Sequence, residues 1–377
     1  MEVYLEPIKV ALLVFPFIAL LITLPYLIYQ YHKFGSVPIL RSAIVYTFVL
    51  YLLAAFFLVI LPLPTREEVA LMPTKQPQLI PFQFITDIAN HTKIVWNDPS
   101  SYLTLIQNPT VYTVLFNIVL TIPFGIYLRY YFEKKWSKVL LASFLLSLFF
   151  EITQLTGLFG IYPKAYRLFD VDDLLMNTLG GMVGYGITPL FTKFLPSRKK
   201  IDEKSYQKGQ EVSFYRRIVA FLIDLFFFFL FFLIGTAFFK DVKHYETLSL
   251  ILFFLYYILI PILTNGYTIG KFIVKIKLVY KGQKGRVFFL FLRQCLLYLG
   301  ILMIPNYLTR LRAIETNSVF MGRLINLVIF VLLLCELIFF LQILSSLFGK
   351  RKQFSYEKIT KTQNESTIAV NIELQEK

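Results

Sequence analysis

The chain has 377 residues, of which 57% are hydrophobic, 18% aromatic and only 16% charged, and its mean hydropathy is +0.64. This composition excludes an ordinary water-soluble domain, in which about 25% of residues are charged, and indicates a polytopic membrane protein. The formal net charge of +15 would favour binding to nucleic acid, but the cations lie at the ends of apolar runs, where anionic lipid headgroups attract them. We therefore expect membrane lipids as partners, and no nucleic acid.

Nine apolar runs approach the roughly 20 residues that a membrane-spanning helix needs. No small-residue cleavage site follows the first run, so we interpret it as a retained span and not as a signal peptide. We predict an all-α, polytopic integral membrane bundle of about nine transmembrane helices, grouped as five plus four. The predicted spans are 10–30, 42–62, 111–129, 139–158, 174–192, 218–239, 247–264, 287–305 and 324–346.

The loops between the spans predict the orientation. Residues 193–217 contain eight Lys or Arg residues, and residues 265–286 contain six with no acid, so both segments are expected inside the cell. The longer loop 63–110 balances its cations with acids, as a translocated segment can. We therefore predict a multi-pass protein of the bacterial cytoplasmic membrane, with its N-terminus outside and its C-terminus in the cytoplasm.

A change in composition divides the chain into two membrane domains. The first covers residues 1–192 and includes the extracytoplasmic loop 63–110, and the basic segment 193–213 reads as a cytoplasmic linker. A second, four-helix domain covers residues 214–348. From Gly349 onward the chain is polar, so residues 349–377 are expected to form a mostly disordered cytoplasmic tail.

The densest group of ionisable side chains beside apolar sequence lies between the fourth and fifth predicted spans. Glu151 and Gln154 are three residues apart and share a helical face. Aspartates begin the fifth span, where the helix dipole favours anions, so some of them could serve only as caps. Charges beside lipid persist mainly where they pair, line a wet cavity or bind a ligand. We predict a polar pocket at the outer leaflet, with candidate residues Glu151, Gln154, Arg167, Asp170, Asp173 and Asn177.

Glycines follow the aspartates at helical spacing. Gly180, Gly181 and Gly184 would let another helix approach closely, and the fourth span is the expected neighbour. Close packing would bring Glu151 and Gln154 towards the fifth span, with Arg167 available to neutralise one carboxylate. The alternative is structural: the polar groups satisfy each other and fix a helical hairpin.

The motif E-x-x-Q, then R-x-x-D-x-x-D, then N-x-x-G-G-x-x-G resembles the VanZ family. Leu79-Ile-Pro-Phe in the outer loop and Asn117 with Pro123-Phe-Gly in the third span also resemble that family, over roughly residues 10–192. The resemblance implies a bacterial cell-envelope protein whose relatives confer low-level resistance to teicoplanin-type glycopeptides. The family motif falls on the six candidate residues of the outer pocket.

The sixth span begins with Arg217, and Asp224 lies two turns further along the same face. Arg293 in the eighth span has a similar predicted depth, so we expect an Asp224–Arg293 pair, because either charge alone in lipid would be costly. Glu336 in the ninth span is expected to pair with Arg293 or another donor, and could instead carry a proton. We group Arg217, Asp224, Arg293 and Glu336 as an intramembrane charge cluster.

The spacing R-x-x-A-x-x-x-D and the stretch Gly266-Tyr-Thr268-Ile-Gly270-Lys271 resemble the RDD family over roughly residues 213–345. The second acidic residue of that family has no clear counterpart after Arg293. The resemblance implies an ion-translocating role only for some relatives, and this chain departs from the family pattern at that acidic position. The glycine-rich stretch lacks the spacing of a phosphate-binding loop, so we do not expect nucleotide binding.

Three hypotheses for the function follow. The first is a membrane protein of VanZ plus RDD architecture whose outer pocket engages an envelope precursor or a lipoglycopeptide and changes antibiotic susceptibility. The second is a cation and proton transporter that uses Asp224, Arg293 and Glu336. The third is a membrane enzyme acting on a lipid-linked precursor, although no nucleophile stands out. The scattered histidines and the two cysteines predict no metal site, and we expect no cofactor.

Overall fold

The computed structural model describes residues 2–74, 76–91, 108–238, 243–302, 304–314, 319–348 and 353–368. The chain divides into two compact units. The first unit comprises Met1–Ile22 and Ile39–Ile201, and the second comprises Thr23–Pro38 and Asp202–Lys377. Each unit therefore takes part of the long N-terminal helix, and each is described separately below.

The first unit is built from helices that are apolar along most of their length. Two short helices, α3 and α4, lie in the loop that follows α2. The helices before the basic segment are α1 (Glu2–Phe34), α2 (Ile39–Ile60), α3 (Arg66–Leu71), α4 (Gln83–His91), α5 (Pro109–Tyr130), α6 (Trp136–Leu155) and α7 (Val171–Thr192), with a single helical turn, Gly157–Gly160, after α6. Helix α8 (Arg198–Gly209) lies in the basic segment, and most of it belongs to the second unit.

The second unit combines apolar helices with a small antiparallel sheet. Helix α10 continues through a π-helical segment, Phe254–Leu259, into α11, and α13 continues through a second one, Cys295–Leu302. The elements are α9 (Phe214–Thr236), α10 (Lys243–Phe253), α11 (Ile260–Leu263), α12 (Ile269–Ile273), β1 (Ile276–Tyr280), α13 (Arg286–Gln294), α14 (Ile304–Arg312), α15 (Val319–Leu347), α16 (Ser355–Ile359) and β2 (Thr362–Ser366).

The predicted fold class, an all-α polytopic membrane bundle, is confirmed. Six helices of the described residues are long and apolar enough to cross a membrane: α1, α2, α5, α6, α9 and α15. Helix α7 has 22 residues but begins with two aspartates and contains an asparagine and several glycines, which lower its hydropathy. Thr247–Leu263 is apolar but shorter. The run predicted at 287–305 forms a short α-helix and a π-helical segment.

Small residues bring α7 against two neighbours. A Cβ atom on Gly180 would lie 2.1 Å from the Ile118 carbonyl oxygen, and one on Gly184 would lie 2.0 Å from that of Ile122. Both carbonyls belong to α5. A Cβ on Gly181 would instead lie 2.0 Å from Ser143 Oγ of α6. The predicted close approach is confirmed, but its neighbour was only partly right: the third predicted span meets Gly180 and Gly184, and the fourth meets Gly181.

The tail after Gly349 is not disordered over its described part, which corrects the prediction. Strand β2 pairs antiparallel with β1, from Ile276 opposite Ser366 to Tyr280 opposite Thr362. Helix α16 precedes β2, and its Glu357 is completely buried. The sequence does not predict this structure because most of the buried side chains of the segment are polar, and the arginine partners of Glu357 lie 140 and 64 residues away. Residues 349–352 and 369–377 of the predicted tail lie outside the described residues.

Candidate functional site

Five of the six residues predicted for the outer pocket line one cavity of the first unit. The cavity measures about 230 Å³ and lies between the end of α2 and helices α5, α6 and α7. Asp170 is the predicted residue that is not in its wall. The polar lining consists of Glu151, Gln154, Arg167, Asp173, Asn177, Asn117 and Thr113, and the apolar lining of Leu58, Val59, Leu61 and Phe116.

Glu151 connects α6 to the start of α7. Its side chain is 2% exposed, and its Oε2 accepts a hydrogen bond from the Asp170 backbone N–H at 2.9 Å. Asp170 is the N-cap of α7, so the glutamate fixes the point at which the helix begins. No described residue donates to Glu151 Oε1, which is left for the cavity.

Gln154 and Arg167 hold the carboxyl end of α2. Gln154 Nε2 donates to the Val59 carbonyl at 3.1 Å, and Arg167 donates to the carbonyls of Val59 and Leu61, each at 2.6 Å. The last carbonyls of a helix lack partners within it, so cationic donors stabilise them. Arg167 makes no ion pair with a carboxylate among the described residues, because its two terminal nitrogens donate to backbone oxygens, but it lines the same cavity as Asp173 and Glu151.

Asp173 and Asn177 face α5 from the first two turns of α7. Asp173 Oδ1 accepts a hydrogen bond of 2.5 Å from Asn117 Nδ2, and Thr121 Oγ1 donates to the Asn177 backbone oxygen at 2.6 Å. The Asn177 side chain is only 3% exposed, and its Oδ1 has no hydrogen-bond partner in the described part of the chain. A buried acceptor without a partner is costly, so this atom marks a place where a ligand or water would donate a hydrogen bond.

Asp170 and Asp172 have structural roles at the same helix end. Asp170 Oδ1 accepts from the Asp172 N–H at 2.8 Å, and Asp172 accepts from the backbone N–H groups of Phe82 and Phe84 at 2.5 and 3.0 Å. Burial raises the pKa of Asp170, and the nearby Asp172 adds to this effect. Together the two aspartates hold the loop 78–84 on α7. Asp172 was passed over as a site residue, and its role is to fix this loop.

The chemistry of the cavity is that of an acceptor-rich site. Two carboxylates and an orphan amide oxygen face it, whereas the guanidinium of Arg167 is committed to backbone oxygens. Among the described residues, no three His, Cys, Asp or Glu side chains are grouped as metal ligands. The cavity therefore suits a small polar group that brings hydrogen-bond donors or a positive charge.

In the second unit, Asp224 is fully engaged by hydrogen bonds. Tyr256 donates to Oδ1 at 2.7 Å, the Gly270 N–H donates to the same atom at 2.7 Å, and Thr268 donates to Oδ2 at 2.6 Å. Thr268 is also the N-cap of α12. The predicted pair with Arg293 is wrong: Asp224 instead fixes the glycine-rich stretch against α9.

Arg293 and Arg217 share a different carboxylate, Glu357 of the tail. Arg217 Nη1 lies 3.1 Å from Glu357 Oε2, and Arg293 Nη2 lies 3.4 Å from Oε1. Asn364 and the Phe354 N–H also donate to this carboxylate. Sequence reasoning missed Glu357 because it follows the last span by several residues; the one available signal was that two arginines near lipid lacked a counter-charge.

Glu336 does not join this group. Its side chain is partly exposed on α15, and no described residue donates a hydrogen bond to it or forms an ion pair with it. The expected pairing with Arg293 is therefore wrong. Of the four residues predicted as one charge cluster, Arg217, Asp224 and Arg293 line one cavity, and Glu336 lies apart from them. Arg293 binds Glu357 of the tail instead, because β2 holds Asn364 next to Glu357 and Asn364 donates a further hydrogen bond to that carboxylate.

Arg216 is a further residue that the sequence did not single out. It is completely buried, and it donates to the carbonyls of Val274, Gly209 and Lys275 and to the Ser366 hydroxyl at 2.6–3.3 Å. It therefore connects the end of α8, the turn before β1 and strand β2. Like Arg167 in the first unit, it is a structural arginine that binds backbone oxygens.

Comparison with known protein families matches both halves of the chain. The VanZ/LLP1 family matches residues 48–192, and the RDD family matches residues 212–354. No curated protein and no solved structure matches significantly. The first match includes every residue that lines the cavity of the first unit. The second includes Arg217, Asp224 and Arg293 but ends before Glu357.

Proposed function

We propose that, in this membrane chain that joins a VanZ/LLP1 domain to an RDD family domain, the first unit binds a headgroup of a cell-envelope component. The headgroup is small and rich in hydrogen-bond donors. Binding takes place in the cavity beneath the end of α2, on the outer side of the bacterial cytoplasmic membrane. By sequestering this headgroup the protein changes susceptibility to teicoplanin-type lipoglycopeptides. The cavity acts as a binding site and not as a reaction centre.

The observation that carries the proposal is the orphan acceptor. Asn177 Oδ1 is buried without a partner beside the cavity that Glu151 and Asp173 also line. A purely structural hairpin would have satisfied these groups internally, because each unsatisfied buried acceptor costs about 1–3 kcal/mol. A ligand that donates to these oxygens recovers that free energy.

The size of the cavity limits the ligand. Pockets that enclose a drug-sized molecule measure about 300–1,000 Å³. A volume of about 230 Å³ holds one sugar or one amino-alcohol headgroup, and it cannot enclose a whole glycopeptide. We therefore favour a hydroxyl- or ammonium-bearing headgroup of an envelope component as the ligand. The antibiotic would then be affected indirectly, through the amount of that component that it can reach.

The test is made in a strain from which the gene has been deleted, complemented with wild-type protein or single variants. Glu151→Gln and Asp173→Asn keep the shape of each side chain but replace its carboxyl group by an amide, which has one acceptor oxygen instead of two. Loss of a charged hydrogen bond weakens binding by about ten- to a hundred-fold. Both variants should therefore return the minimal inhibitory concentration of teicoplanin to that of the deletion strain, at an unchanged membrane level of the protein.

Glu133→Gln is the matched control, because Glu133 is exposed and lies outside the cavity. It makes the same replacement of a carboxyl group by an amide and should keep full protection. Protection that survives in both cavity variants contradicts the proposal. Loss of protection accompanied by loss of protein identifies a structural role for these carboxylates.

A further inference from the structure

The second unit contains a cavity of about 250 Å³ with a cationic end and apolar walls. Arg217, Lys271 and Arg293 supply its positive charge. Phe221, Leu297, Phe339 and Ile343 belong to its apolar lining. Neither the ion-pair chemistry predicted from the sequence nor the function proposed for the first unit uses this cavity.

The positive groups in this wall outnumber the anions that meet them. Asp224 also lines the cavity, but both of its oxygens already accept hydrogen bonds from neutral donors. Glu357 is shared by two arginines at 3.1–3.4 Å. Three cations therefore face two carboxylates, one of which makes no ion pair among the described residues.

Lys271 and Arg293 have donor atoms that no described residue accepts. The Lys271 ammonium makes no hydrogen bond or ion pair in the described part of the chain. Arg293 is 4% exposed, and its Nε is buried without a hydrogen-bond partner in the described residues. Keeping cationic donors in an apolar cavity without an acceptor is unfavourable, so the cavity is suited to an added anion.

We propose that this cavity binds the phosphate group of an anionic amphiphile, with Lys271 and Arg293 on the phosphate and the apolar wall along the adjoining chain. A lysine ammonium and an arginine guanidinium together are the usual donors to phosphate oxygens. The apolar wall favours a phospholipid over a free phosphate ester. When no phosphate is bound, Glu357 pairs with the two arginines. When a phosphate binds, Glu357 is displaced from them or shares them with the phosphate.

The tail is therefore part of this site. Strand β2 and α16 place Asn364 and Tyr356 in the wall of the cavity, and the guanidinium of Arg293 lies 5.2 Å from the centre of the Tyr356 ring. Glu357 of α16 binds two of the arginines that line it. Since Glu357 is the internal competitor of the phosphate, its removal should strengthen phosphate binding. A site whose arginines served only to hold the tail would show no such gain.

The experiment uses the full chain, reconstituted in phosphatidylcholine nanodiscs with a small fraction of phosphatidylglycerol. Bound phosphatidylglycerol is counted by native mass spectrometry after transfer to detergent. Lys271→Met should reduce retention about tenfold, which is the cost of one charge-assisted hydrogen bond. Lys284→Met is the control, since Lys284 is exposed and does not line the cavity, and it should retain the lipid as the wild type does.

Glu357→Gln is the second variant and should increase retention several-fold. Equal retention of phosphatidylglycerol by the Lys271 and Lys284 variants would overturn the proposal, and so would equal retention of phosphatidylglycerol and phosphatidylcholine. A further arm adds soluble glycerol phosphate. Displacement of the lipid assigns recognition to the phosphate alone, whereas lack of displacement assigns it to phosphate and acyl chain together. Each of these two results supports the site, and neither bears on the cavity of the first unit.

Discussion

The two cavities enclose similar volumes, about 230 Å³ in the first unit and about 250 Å³ in the second, yet their walls have opposite chemistry. The cavity of the first unit has an excess of hydrogen-bond acceptors, among them Asn177 Oδ1, which has no partner among the described residues. The cavity of the second unit has an excess of hydrogen-bond donors, including the Lys271 ammonium and the Nε of Arg293. The unsatisfied atoms, more than the residue types, therefore indicate what each cavity would take: a donor-rich group in the first and an anion in the second.

Arginines show why residue type alone is a poor guide. Arg167 and Arg216 direct their guanidinium groups at backbone oxygens and so hold helix ends and turns together. Arg217 and Arg293 meet a carboxylate and line a cavity. All four are arginines beside apolar sequence, but in the second unit Arg216 is part of the scaffold, whereas Arg217 and Arg293 line a cavity. Arg167 of the first unit does both, because it binds backbone oxygens and also lines the first cavity. Mutations at both kinds of position test whether this division holds.

The largest effect is expected at Arg216. Replacing it with Met removes hydrogen bonds to three backbone carbonyls and the Ser366 hydroxyl in a fully buried position. The Gly209 and Lys275 carbonyls keep a second donor, Ser366 Oγ and the Thr367 N–H, but the Val274 carbonyl loses the donor that holds it. A buried acceptor left without a partner costs about 1–3 kcal/mol, and the loss of the other hydrogen bonds adds to this cost. Arg216→Met should therefore lower the midpoint of thermal unfolding of the purified chain strongly. Arg310→Met, at an exposed arginine of the same unit, should leave the midpoint close to that of the wild type.

Comparable midpoints for the two variants would show that Arg216 is not part of the scaffold. The distinction between structural and cavity-lining arginines would then fail in the second unit.

A smaller loss is expected where α7 packs on α5. The added methyl group of Gly184→Ala would lie 2.0 Å from the Ile122 carbonyl oxygen, so the helices must separate. Overpacking of this kind costs about 1–3 kcal/mol. Since Asn177 and Asp173 of α7 face α5 across the cavity, the variant should also lose antibiotic protection. Thermal unfolding and the susceptibility assay measure the two effects.

Gly186→Ala provides a control on the same helix, because a Cβ atom there meets nothing within 4 Å. It should keep both stability and protection. A Gly184 variant as stable as the Gly186 variant would mean that the contact between the helices is not as close as the structure has it.

The sequence predicted the first cavity better than the second, for a physical reason. Glu151, Gln154, Asp173 and Asn177 lie on two consecutive helices, so helical periodicity and the glycines were enough to bring them together. The hydrogen bonds of Arg167 were not predicted, because the carbonyls that it binds lie at the end of α2, 108 and 106 residues away. Backbone acceptors carry no signature in the sequence.

In the second unit the deciding contacts are longer in range. Glu357 meets arginines that precede it by 140 and 64 residues, and it does so only because β2 returns to β1. The strand Thr362–Ser366 has no alternation of apolar and polar residues, so periodicity gave no sign of it. The pairs inferred from depth alone, Asp224 with Arg293 and Arg293 with Glu336, failed because nearer polar groups were already available.

The smallest effect that we expect is the dependence of stability on pH through Lys271 of the second cavity. Burial lowers the pKa of Lys271 to about 8 from its ordinary 10.5, and the positive Arg293 and Arg217 act in the same direction, against Asp224 and Glu357. Between these two pH values the unfolded chain binds more protons than the folded one, so stability contributed by this lysine rises with pH. The difference in unfolding midpoint between wild type and Lys271→Met should therefore shift in favour of the wild type from pH 8 to 10.5.

The corresponding difference in unfolding midpoint for Lys284→Met should not change over this pH range. Phosphatidylglycerol should reduce the shift, because a bound phosphate stabilises the ammonium form, and a shift unaffected by this lipid would argue that no anion reaches Lys271.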